Sequence, residues 1–174
     1  MVVTAVVIAA VTYGLPVRTC LAGNKAPELV VSEWINKDPG TLTSMKGKVV
    51  VIDFFQMWCP GCNNFSGPLM FQLEEKYKKR DDIVFISMHT VFEGHSYQTP
   101  ADLKEYVIEK GIKHSVGIDA YDDGQYTPVT MKKYRTGGTP CITIIDKNGY
   151  IRFKKLGGFN PDSAFKVVDQ LLGE

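Results

Sequence analysis

The chain has 174 residues, with 20 Lys and Arg against 19 Asp and Glu for a net charge of +1. That balance argues against a nucleic-acid binder, which carries a basic surplus, and the length is ample for one domain with its own apolar core. Four cysteines are too few for a disulfide scaffold in a chain this long, so each is read as a thiol with its own role.

Residues 1–22 differ in composition from the rest. Val2 to Val11 is almost wholly apolar and leads through Tyr13-Gly14-Leu15-Pro16 to Cys20-Leu21-Ala22. Small residues at Cys20 and Ala22 suit cleavage before Gly23, as in a secretory signal, although no Lys or Arg precedes the apolar run. The run falls short of the roughly 20 apolar residues of a spanning helix. Residues 1–22 are therefore expected to be a cleaved signal or a short membrane anchor, with membrane association only through them. Residues 23–174 are expected to form a single domain.

The segment 28–35 reads as a strand, closed by Asp38-Pro39-Gly40. Val49 to Phe55 is apolar on both faces, the pattern of a central strand covered on both sides. It runs into Trp58-Cys59-Pro60-Gly61-Cys62, and a helical pattern with Phe65, Leu69, Met70, Leu73 and Tyr77 inward begins at the second cysteine. Phe54, Phe65 and Phe71 are all expected in the core. Residues 83–88 form a second buried strand. Thr99-Pro100 supplies an N-cap and first turn for a helix that stops at Gly111. A short strand follows at 116–119, and Thr127-Pro128 opens a short helix through Tyr134. Cys141 to Ile145 is a strand, Asp146-Lys147-Asn148-Gly149 a hairpin turn, and 150–155 the return strand. Asn160-Pro161 caps a last helix that ends at Gly173. Strands alternating with helices, then a hairpin and a closing helix, predict an α/β sheet covered on both faces.

Two thiols separated by two residues where a helix follows a strand can close a small disulfide ring. The unpaired N–H groups of the helix start favour the thiolate of the first. Asp53 lies within an apolar run, where burial raises a carboxyl pKa and suits it to accept the proton of Cys62. Zinc in a tetrahedral cage needs two ligands beyond the pair, and no second Cys-x-x-Cys or compact His pair supplies them. His89, Glu93 and His95 form only a loose group. No metal or other cofactor is expected beyond the Cys59–Cys62 disulfide. Cys141, at a strand start, reads as a small buried residue.

Trp58-Cys59-Pro60-Gly61-Cys62 on the first buried strand, with Gly137-Gly138-Thr139-Pro140 before the hairpin, resembles the thioredoxin superfamily over residues 26–174. The added strand before residue 40 and an insertion from about Thr90 to Gln125 resemble its extracytoplasmic TlpA/ResA-type branch, related to the redoxins. The resemblance implies a thioredoxin-like α/β fold, a central mixed sheet with helices on both faces. It also implies an extracytoplasmic thiol–disulfide oxidoreductase, more a reductant or isomerase than a strong oxidant. In that reading Cys59 is the exposed attacking thiol and Cys62 the buried resolving one. Thr139-Pro140 is a cis peptide facing the disulfide, and with Trp58, Pro60 and Gly61 it receives an extended substrate segment. Asp53 is the buried acid beneath the site.

Its partners would be protein thiols or disulfides and an upstream redox protein, its state a monomer. Two features depart from the pattern: the helix proline, Pro68, stands one residue late, and Phe65 occupies a position that is often Glu. Two alternatives stay open. One is a metallochaperone using Cys59, Cys62 and a loop histidine. The other is a thiol peroxidase of the redoxin group, although a Pro-x-x-x-Thr-x-x-Cys motif ending at Cys59 is absent.

Overall fold

A computed structural model describes residues 23–173, so the expected signal or anchor and Cys20 lie outside the described residues. No helix among the described residues is long and apolar enough to cross a membrane.

Six strands form one mixed sheet: β1 (Val31–Ile35), β2 (Val49–Phe55), β3 (Ile83–His89), β4 (Ser115–Asp119), β5 (Cys141–Ile145) and β6 (Ile151–Leu156), in the order β1-β4-β3-β2-β5-β6. β2 pairs parallel with β3 and β3 with β4, whereas β1, β5 and β6 each run antiparallel to a neighbour. The helices are α1 (Gly67–Tyr77), α2 (Pro100–Glu109), α3 (Val129–Tyr134) and α4 (Asp162–Leu172). The expected α/β sheet with both faces covered is therefore present.

β2 is buried at every position, and its alternation divides the core. Val49 and Val51 face α1 and α4, where they meet Leu69, Leu73, Ala164 and Val168. Val50, Ile52 and Phe54 face the opposite side, against Met45, Tyr134 and Cys141. The same alternation turns Asp53 toward the α1 side. Phe55, beyond it, packs with Cys59, Cys62, Leu103 and Val107 of α2.

The segment Thr90 to Gln125 contributes α2 and β4, and β4 extends the sheet between β3 and β1. β1 begins at Val31 rather than at residue 28, because the preceding residues bond elsewhere. The Glu28 carboxylate accepts the N–H groups of Leu42 and Thr43, and Val30 N–H donates to Thr130 Oγ1.

Thr99 and Asp102 form a reciprocal capping box on α2. Asn160 Oδ1 accepts the N–H of Asp162 at 3.0 Å, so the cap expected for α4 is in place. α3 is capped from a distance instead: Asp119, at the end of β4, accepts the N–H groups of Thr130 at 2.8 Å and Met131 at 2.9 Å. In the β5–β6 turn, Asp146 Oδ1 accepts the N–H groups of Asn148 and Tyr150.

One expectation needs correction. Phe71 is 40% exposed, not core, because Leu69, Met70 and Leu73 take the inward face of α1. The helical segment from Cys62 is irregular at its start. Cys62–Ser66 forms a π-helical turn, in which Gly67 N–H reaches back to Cys62 O. Pro68 has no N–H to donate to the preceding turn and its ring crowds it, so a widened turn ahead of α1 accommodates it.

Candidate active site

The two cysteines sit where β2 has ended and the π-helical turn begins. Cys59 N–H donates to Gln56 O at 3.3 Å, and the N–H groups of Cys62 and Asn63 both donate to Cys59 O at 3.1 Å. Cys62 N–H also lies 3.3 Å from Cys59 Sγ as a donor. The start of the helix thus directs a backbone N–H at the first sulfur. Both cysteines are free thiols.

Cys59 is less exposed than expected of an attacking thiol. It is 7% exposed and Cys62 2%, because the Cys59 side chain turns onto the helix start and packs with Phe55 and α2. The order of accessibility still holds. Burial pushes the Cys62 thiol well above the ordinary thiol range, with the neighbouring Cys59 and the Asp53 charge adding to it. Trp58, 43% exposed, stands at the surface beside the pair and is no part of the packed core.

Thr139-Pro140 is a cis peptide. Pro140 lies against the loop between the cysteines: a Cβ placed on Gly61 would fall 2.9 Å from Pro140 Cδ and 3.9 Å from Cys59 Sγ. Glycine at 61 is therefore required by space, since its φ of −64° suits any residue. Pro140 O accepts Gly157 N–H at 2.8 Å, which ties this loop to the end of β6. Pro60 is exposed and Thr139 partly so.

Asp53 is 3% exposed, and its carboxyl is raised to about 7 by burial, an effect the Ser66 hydroxyl opposes. Ser66 Oγ donates to Asp53 Oδ2 at 2.9 Å, while Oδ1 has no hydrogen-bond partner. Asp53 and Cys62 line one small cavity together with Ser87, Tyr106 and His114. The acid and the second thiol thus share one buried space.

Several contributing residues carried no sequence signal. Asn63 Nδ2 donates to Met57 O at 2.7 Å and Cys59 O at 3.1 Å, and its Oδ1 accepts the Tyr106 hydroxyl at 2.8 Å. This side chain clamps the loop that carries Trp58 and Cys59. Gln98 Oε1 accepts Met57 N–H at 3.1 Å. Asn63, Ser66 and Gln98 belong to no motif in the sequence, and their roles arise from contacts across elements.

The other candidates lie apart. Cys141 is 1% exposed and packs on the opposite face of the sheet, with Phe54 and Tyr134, and burial pushes its thiol up to about 11. His89 is buried, its pKa lowered to about 4 by burial, with Nε2 3.4 Å from Gln98 Oε1. His95 is exposed and packs near the rings of Tyr121 and Tyr126. Among the described residues, no three His, Cys, Asp or Glu side chains come together as ligands for a metal ion.

Residues 22–154 match the AhpC/TSA family. The chain is 30% identical over 153 residues to the thiol–disulfide oxidoreductase ResA of Bacillus thuringiensis, covering 87% of this chain and 70% of that one. Among solved structures, a thiol–disulfide isomerase from Corynebacterium glutamicum superposes with a TM-score of 0.77 at 39% identity, over 86% of this chain and 97% of the other. A thioredoxin-like superfamily protein superposes with a TM-score of 0.82, also at 39% identity and over the same shares of the two chains. The chain belongs to the AhpC/TSA family, among its thioredoxin-like thiol–disulfide oxidoreductases.

Proposed function

We propose that the protein exchanges electrons with cysteines of other proteins through the Cys59–Cys62 pair, as a reductant or isomerase, in an extracytoplasmic setting. The observation that carries the exchange reading is the asymmetry of the pair. Cys59 Sγ receives the Cys62 N–H, whereas Cys62 is buried beside Asp53 with its thiol held protonated.

In the reducing direction, the Cys59 thiolate attacks one sulfur of a partner disulfide. The partner's S–S bond breaks, the departing sulfur leaves with the electron pair, and a Cys59 mixed disulfide forms. Cys62 then gives its proton to the Asp53 carboxylate, and its sulfur attacks Cys59 Sγ. The Cys59–Cys62 disulfide forms, the second partner sulfur leaves as thiolate, and the partner has gained two electrons. An acid poised near neutrality matches this task, because it holds a usable carboxylate fraction at the pH where Cys62 must be deprotonated.

Trp58, Pro60 and Gly61 on one side and Thr139-Pro140 on the other would bound the surface that receives the partner segment. The choice of reductant or isomerase over strong oxidant is supported by the residues between the thiols. A strong oxidant stabilises its reduced form heavily, and here no histidine stands between the cysteines to do so. The apolar stretch Val2 to Val11 supports the extracytoplasmic setting.

The test is trapping. Cys62→Ser should accumulate a mixed disulfide with a reporter disulfide protein through Cys59, and Cys59→Ser should trap none. A trap that forms equally well through Cys141 would contradict the assignment.

A further inference from the structure

A carboxyl that takes a proton from a buried thiol must exchange it with solvent, and Asp53 is itself buried. Asp53 and Ser87 stand side by side in register on the parallel strands β2 and β3, and both line the same cavity. That cavity is about 20 Å³, room for one water molecule. On its far side Ser87 Oγ lies 2.7 Å from His114 Nε2. His114 Nδ1 lies in turn 3.0 Å from Glu74 Oε1, within ion-pair distance although outside good hydrogen-bond alignment. The His114 side chain is 5% exposed and that of Glu74 25%, so the series ends at solvent.

We propose that Ser87, His114 and Glu74 form a proton path between Asp53 and solvent. This rests on the reading that Asp53 accepts the proton of Cys62. During dithiol oxidation, the proton on Asp53 passes across the cavity to the Ser87 oxygen, and the Ser87 O–H proton passes to His114 Nε2. The imidazole releases its Nδ1 proton to Glu74, which exchanges it with water. One proton enters and one leaves at each station, so charge is conserved along the path. Re-reduction of the disulfide runs the protons inward and restores the original imidazole tautomer. The residues come from three elements, β3, the turn before β4, and α1, which bring a nearly buried histidine against a buried serine and a half-buried glutamate.

The other titratable groups near Asp53 are Cys59 and Cys62 at the helix start and Tyr106 on α2, with Cys141 of β5 on the opposite face of the sheet. Tyr106 is held protonated by burial, with the Cys62 and Asp53 charges adding to the effect, and rises to about 12. Cys141 is likewise raised by burial. Neither is suited to pass a proton near neutrality.

The test mixes reduced protein with 5,5′-dithiobis(2-nitrobenzoate) and follows the second release of nitrothiobenzoate, which reports resolution of the Cys59 mixed disulfide by Cys62. The proteins compared are the unaltered chain, Ser87→Ala, His114→Gln and Asp53→Asn, at about pH 6 and about pH 9, in water and in deuterium oxide. The lower pH lies below the raised value of about 7 for Asp53, so Asp53 must shed its proton before resolution. The path predicts that Ser87→Ala and His114→Gln slow the second release on the order of tenfold at the lower pH, with an enlarged solvent isotope effect. At the higher pH they should match the unaltered protein.

Slowing that is equal at both pH values, or no slowing, overturns the path. If His114→Gln does not fold, Ser87→Ala, which removes one atom, decides alone. If Asp53→Asn resolves at the unaltered rate, the role of Asp53 itself is wrong. If Asp53→Asn is slow while the other two are normal, only the path is.

Discussion

The hydroxyl of Ser66 donates to Asp53 Oδ2 at 2.9 Å, across the face of β2 on which the α1 helix packs. Ser66 is the last residue of the π-helical turn, and that turn exists because Pro68 interrupts the regular helix. A backbone irregularity thus delivers a hydrogen-bond donor to a carboxyl that burial raises to about 7.

Ser66→Ala removes a group that stabilises the carboxylate, so the Asp53 pKa rises further. The inflection in the pH profile of resolution should therefore move to higher pH, by about one unit. Stopped-flow thiol release across a pH series measures it. A profile unmoved, or moved down, contradicts the geometry.

Asp53→Asn separates function from stability. In the folded protein Asp53 titrates near 7, against an ordinary value of 3.8, so between these values the unfolded chain has released a proton that the folded one retains. Stability accordingly falls as pH rises through that window, and the penalty is complete above about 7. The neutral amide escapes it. Asp53→Asn should be indistinguishable in stability below about pH 4 and more stable above about pH 7, by about 2–4 kcal/mol. Resolution should slow on the order of 10²-fold. Denaturant unfolding at the two pH values checks the first claim, and exchange kinetics the second.

Gly61→Ala tests the packing of the cis peptide against the active-site loop. The new Cβ would meet Pro140 Cδ at 2.9 Å, while the backbone at 61 is already helical and accepts alanine. The cost should be one of overpacking, about 1–3 kcal/mol, together with slower exchange. An alanine variant with unchanged unfolding midpoint and unchanged rate would show that Pro140 does not sit where described.

Cys141→Ala should leave the exchange rate unaltered, because the thiol lies on the opposite face of the sheet from the reactive pair. Loss of its buried sulfur costs on the order of 1 kcal/mol. Native alkylation followed by mass analysis should label Cys59 first and Cys141 last. Rapid labelling of Cys141 would contradict its burial.

The readable parts of this chain were those encoded locally. The two-sided apolar run at 49–55, the Thr99-Pro100 helix start and the Asp146 turn each declare themselves within a few residues, and all are found. The Cys-x-x-Cys pair and Thr139-Pro140 were likewise legible, though their contact joins Gly61 and Pro140, far apart along the chain. What sequence spacing does not carry is the pairing of side chains across elements. Ser66 lies 13 residues from Asp53, and Ser87 lies 27 from His114. Phe71 was misplaced for a related reason: apolar character marks a residue for the interior only when its position on the helix faces inward, and here Met70 holds that position.

The central claim is that Cys59 and Cys62 form a reversible couple suited to reduction or isomerisation. Equilibration of the protein in a series of thiol redox buffers, read by alkylation and mass shift, tests it most directly. The account predicts a two-electron couple between Cys59 and Cys62 with a potential nearer that of thioredoxin, about −270 mV, than that of DsbA, about −120 mV. A value near the latter would make the protein a disulfide donor. Absence of any reversible couple would contradict the account outright.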